Sequence, residues 1–166
     1  MIELKHLTAE AVPAALERGR RYRLLNEPGE AESICHDVLA VDPDNRDALT
    51  TLLLALTDQF ARRPGAAVRA AQEALEKLTG DYDRAYYGGI LLERRAKAAL
   101  ARGGPAAPHN AYRGLVQAME RFERAIELRE PGNDEAVLRW NACARLLNGN
   151  PLLRDEPAAQ AVELLE

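Results

Sequence analysis

Aromatic side chains are scarce in this sequence: Phe, Trp and Tyr together make up 5% of its 166 residues, although hydrophobic residues reach 47%. A two-sheet core draws on such rings and on alternating runs of β-branched residues. No such run is present, and no Asn-Gly turn sits between two of them, so strands are not expected. Long apolar runs are missing as well. The longest, such as Leu52 to Leu56, fall far short of the roughly 20 residues that cross a bilayer, so no membrane partner is expected. The opening Met-Ile-Glu-Leu-Lys-His-Leu-Thr has an early acidic residue and no apolar core before a cleavage site, unlike a secretory signal.

Groups that do chemistry are few. Cysteine is confined to Cys35 and Cys143, each in an apolar-periodic stretch. No disulfide framework follows, and a reducing, cytoplasmic setting is the expectation. His6, His36 and His109 have no ligand at a metal-binding spacing. Cys35 and His36 are neighbours, so a helix points them about 100° apart, and they cannot share one ion well. No phosphate-cradling glycine motif occurs, and Gly88-Gly89 lies inside a helical pattern, where glycines permit close helix approach. We therefore expect no metal, no cofactor and no enzymatic activity.

Basic charge is also in deficit. The net charge is −4, and a protein that grips a phosphate backbone nonspecifically is usually basic, so nucleic acid is a poor default partner. The middle of the chain is the exception. Residues 46–104 carry 10 basic and 7 acidic groups, between acidic ends. Arg62, Arg63, Arg69, Arg84, Arg94, Arg95, Lys97 and Arg102, with nearby tyrosines for stacking, form the residual case for RNA.

What the chain has in abundance is helical periodicity with sharp punctuation. Small or apolar residues recur at Ala31, Ile34, Cys35, Val38 and Leu39, then Asp42-Pro43-Asp44-Asn45 halts the run and a second begins at once. Asn26-Glu27-Pro28-Gly29 precedes this stretch, and Arg63-Pro64-Gly65 and Thr79-Gly80-Asp81 follow it. Later breaks are the Gly103–Asn110 loop, Pro131-Gly132-Asn133 and Asn148-Gly149-Asn150-Pro151. We expect Asp44 to cap the third helix, Gly80 to end the fourth in a left-handed turn, and Pro157 to open an eighth. Leu7 and Val12 form a candidate hydrophobic staple around Thr8. Such short connections make neighbouring helices antiparallel, all within a single domain by length.

A pattern repeats along these helices. Ala31, Cys35, Val38 and Leu39 have the same spacing as Ala67, Ala71, Ala74 and Leu75, and as Ala118, Phe122, Ala125 and Ile126. Small residues at fixed intervals suit positions where helices cross too closely for a larger side chain. Across residues 12–45, Gly19, Tyr22, Ala31 and Pro43 fall at the intervals of the 34-residue tetratricopeptide repeat, which the chain resembles. Residues 46–81 keep Leu49, Leu52, Ala67 and Ala74, with Thr79 in place of the closing proline. Residues 82–132 keep Gly89, Ala118, Phe122 and Ala125, with a long insertion at the Gly-Gly-Pro loop. Residues 134–166, with Trp140 in the apolar stripe, read as a degenerate repeat or a cap.

The resemblance implies an all-α, open right-handed array of antiparallel helix pairs, about three repeats plus a terminal pair. The first helix of each pair would line a concave groove for a peptide or partner helix. By family spacing the groove residues are Arg20, Arg23 and Leu24; Thr50, Leu54, Thr57 and Asp58; Tyr86, Ile90, Glu93 and Arg94; and Leu138 and Arg145. The arginines suit an acidic partner, with Tyr86 as an aromatic anchor. Positions of the family's chaperone-binding clamp hold Leu16, Arg20, Thr51, Asp83 and Tyr87, which depart from its lysines and asparagines. The expected role is a noncatalytic protein-interaction adaptor. Self-association through Leu152, Leu153, Val162, Leu164 and Leu165 is the second reading, because a terminal repeat needs its apolar face covered.

Overall fold

A computed structural model describes residues 2–155. After a 3-10 turn at Ala9–Ala11 come seven helices: α1 Val12–Leu24, α2 Pro28–Val41, α3 Arg46–Thr57, α4 Ala66–Glu76, α5 Asp81–Arg102, α6 Ala107–Leu128 and α7 Glu135–Gly149. No strand occurs among the described residues. The chain is all-α. The eighth helix expected from Pro157 lies outside the described residues.

The helices fall into two compact units divided between Gly80 and Asp81, next to the boundary expected between the second and third repeats. In the first unit α1 packs on α2, α2 on α3 and α3 on α4, and α1 also reaches α3. In the second, α5 packs along α6, α6 on α7, and α7 also touches α5.

Punctuation residues act through identifiable bonds. Asn26 has φ 61°, just past α1. The amide of Glu27 donates to Tyr22 O and that of Asn26 to Arg23 O, the paired bonds that close a helix in a Schellman turn. Leu7 and Val12 both pack against the buried Leu16–Val38–Ala48 cluster, joining the first turn to α2 and α3. At α3 the expected cap is displaced by one residue. Asn45, with extended backbone, accepts the Ala48 amide at 2.9 Å, and its own amide nitrogen donates to Asp42 at 2.9 Å. A capping side chain needs non-helical backbone at its own position, and Asn45 has it. Helix α4 stops at Glu76 with Lys77 still right-handed, so Gly80 is not its left-handed terminator. Only the first half of the Gly103–Asn110 segment is loop; the second half is already helix. Gly103 and Gly104 turn at φ 78° and 108°, and α6 starts at Ala107 with Pro108 in its first turn. The expected insertion thus lengthens α5 and α6 to 22 residues each.

Each of α2, α4 and α6 buries the same set of positions. Ala31, Cys35 and Val38 have 0% exposure, as do Ala118, Phe122 and Ala125; Ala67 and Ala71 have 0% and Ala74 4%. Leu39, Leu75 and Ile126, one residue further on, are half-buried in all three helices. Glycines mark close crossings at positions 89 and 114, whereas position 19 has room for ordinary contact. A Cβ on Gly19 would lie 3.5 Å from Ile34, and one on Gly89 only 2.5 Å from the Phe122 ring. Gly114 likewise faces Ala96, at 2.8 Å.

Candidate partner-binding faces

In the first unit, helices α1 and α3 bring several expected groove residues together. Arg20 on α1 donates to Asp47 on α3 at 2.6 Å. One turn on, Arg23 Nε donates to Asp58, the C-cap of α3, at 2.6 Å. The first pair is about half exposed and so contributes little to stability; the second, with side chains 23% exposed, is better shielded. These two guanidiniums are tied to the protein's own carboxylates, which an acidic partner would have to displace. Leu24 projects at 83% exposure and Leu54 is half-buried beside them. Thr50 and Thr57 are buried, their hydroxyls donating back to Asp47 O and Leu54 O at 3.2 and 2.7 Å, so neither faces outward.

In the second unit the expected residues divide. Tyr86 is 7% exposed, stacked on Tyr82 at 5.7 Å, edge-on to Tyr87 at 5.1 Å and 6.1 Å from Phe122. Burial pushes its hydroxyl up to about 12, and the negative charge of Glu135 adds to the shift. It is an internal anchor of α5 rather than an exposed one. Ile90 and Glu93, each 1% exposed, are likewise interior. The Glu93 carboxylate meets Lys97 at 2.5 Å and Arg139 of α7 at 3.4 Å, an ion cluster that links α5 to α7. Its burial needs those cations, since a lone carboxylate in that position would be costly. Arg94 is half-buried, whereas Leu138 at 67% and Arg145 are exposed on α7.

Burial pushes the Cys35 thiol up to about 12 and the Cys143 thiol up to about 11, which keeps both protonated. His109 belongs to the first turns of α6 rather than to a loop. No group of three metal-ligating side chains occurs among the described residues. None of the described helices is long and apolar enough to cross a membrane.

Two hollows on the first unit had no signal in the family spacing. One, of about 330 Å³, is lined by Leu7, Ala11, Ala14, Ala15, Ile34, Arg18 and Asp37. The other, of about 310 Å³, is lined by Arg18, Arg21, Tyr22 and Leu25. Arg18 borders both.

No family model, no curated protein and no solved structure matches this chain.

Proposed function

We propose that this chain is a noncatalytic adaptor of tetratricopeptide-like helix pairs that holds a peptide or helix of another protein. The observation that carries the reading is the shared burial of the i, i+4, i+7 set on α2, α4 and α6. Of the intervening helices, α1 and α7 bury only two residues each and present most side chains outward, as stacked helical hairpins do when they bind extended partners. Helices α3 and α5 bury nine each and offer only Leu54 and Arg94 from the expected set. Leu24, Leu54, Arg94, Leu138 and Arg145 are the contacts we assign from the expected set. Two buried, protonated thiols suit a reducing, cytoplasmic location.

The test is affinity capture from the native cell, with an Arg94→Glu/Arg145→Glu variant alongside. We expect a saturable protein partner, weakened in the variant while far-UV circular dichroism stays unchanged. No saturable partner at all would refute the reading. Leu152, 65% exposed, favours a second reading of self-association, while Leu153 beside it is buried and Val162, Leu164 and Leu165 lie outside the described residues. A monomer mass independent of concentration in light scattering rejects it.

A further inference from the structure

Helix α1 carries two kinds of arginine. Arg20 and Arg23 are tied to Asp47 and Asp58 of the first unit. Arg18 and Arg21 have no carboxylate within ion-pairing distance among the described residues, and both are exposed. Those two unpaired guanidiniums border the hollows described above, with Arg18 shared between them. We infer that this α1/α2 face is a docking site for an acidic, leucine-containing peptide segment of a partner protein. This rests on the adaptor reading and names the partner's chemistry.

The occupant follows from the order of side chains along α1. At one end, Leu7, Ala11, Ala15 and Ile34 line an apolar hollow that suits a branched aliphatic side chain. Further along, Arg18 and Arg21 supply forked donors that match carboxylates bidentately. Tyr22 and Leu25 complete that end, and Leu25 is 59% exposed, an apolar side chain left facing water beside two cations. Asp37 lies at the apolar end, where it repels a carboxylate and so favours the acidic residues at the Arg21 end. From Ala11 to Leu25 the helix rises about 21 Å, the reach of roughly six extended residues. The segment therefore places its acidic residues two to four positions from its aliphatic residue.

The probe is a fluorescein-labelled ten-residue peptide in which leucines alternate with glutamates, read by anisotropy against the full chain. Expected are saturable binding that weakens as salt rises, and a loss of at least about tenfold in Arg18→Glu/Arg21→Glu. Ala14→Trp, which fills the apolar hollow from an exposed position, should weaken binding with helicity intact. Arg20→Gln/Arg23→Gln should leave it unchanged. The proposal is overturned by no binding to the full chain, by equal affinity for a peptide with glutamine at every glutamate, or by undiminished binding in Arg18→Glu/Arg21→Glu. Any of these, beside a saturable partner in affinity capture, sinks this face and leaves the adaptor reading standing.

Discussion

Replacing Gly89 by alanine tests the packing on which the repeat pattern depends. On an isolated helix the change is favourable by about 1 kcal/mol, because alanine loses less backbone entropy than glycine. Here the new methyl would sit 2.5 Å from Phe122 Cε1, 2.7 Å from Cδ1 and 3.0 Å from Cζ. Ordinary contact needs roughly 3.5–4.0 Å. Phe122 has 0% exposure and Tyr86 lies 6.1 Å from it, so the ring has little room to retreat. Overpacking of this kind costs about 1–3 kcal/mol, and confinement of the ring puts the cost at the upper end. The net effect is a loss of about 2 kcal/mol, or roughly 10 °C for a unit of this size. Trp140, the sole tryptophan, lies on α7, so its fluorescence during urea unfolding reports on the second unit. A Gly89→Ala/Phe122→Leu double variant should lose less than the two single changes summed, by at least about 0.5 kcal/mol. Gly29→Ala, where nothing lies within 4 Å, is the control and should gain about 0.5 kcal/mol. If Gly89→Ala were as stable as the parent, or more so, the close crossing of α5 and α6 would be refuted.

Asn45→Ala should cost about 1 kcal/mol through loss of the α3 cap, whereas Asp44→Ala should be nearly silent; thermal unfolding compares the two. Glu93→Met should stay within about 1 kcal/mol of the parent, because it removes the buried carboxylate along with its need for partners. Lys97→Ala/Arg139→Ala, which strands that carboxylate, should cost about 3 kcal/mol in the same urea assay. Neither Cys35 nor Cys143 should react with a thiol reagent at pH 8 until the chain is unfolded. Both thiols are raised by burial, so the stability they contribute is complete below the unfolded value of 9.0 and lost as pH climbs through the folded values of about 12 and 11. Urea midpoints of the second unit should accordingly fall between pH 9 and 11, and less steeply in a Cys143→Ala variant.

Helix limits were legible because proline, glycine and asparagine act locally: Pro28, the Asp42–Asn45 stop and Gly132 all lie where chain breaks occur. The Ala31, Ala67 and Ala118 series was legible because a crossing that excludes side chains leaves a size pattern in the sequence. The faces were harder to read. Family spacing placed Ile90 and Glu93 outward, but α5 also buries Asp83, Tyr86 and Leu91, so its dry region spans too much of the helix to leave those positions in water. The α1 arginines differ only through carboxylates 27 and 35 positions away, which no local pattern records. The cap at Asn45 rather than Asp44 turned on a backbone angle, since either side chain can accept an amide.

Amide chemical-shift mapping of the labelled chain, titrated with the leucine–glutamate peptide, tests the α1/α2 docking site most directly. Saturable shifts should gather on residues 7–25 and on Ile34 and Asp37, with α4 and α7 unmoved. Shifts centred on Asp47 to Asp58, or no saturable shift at all, would contradict it.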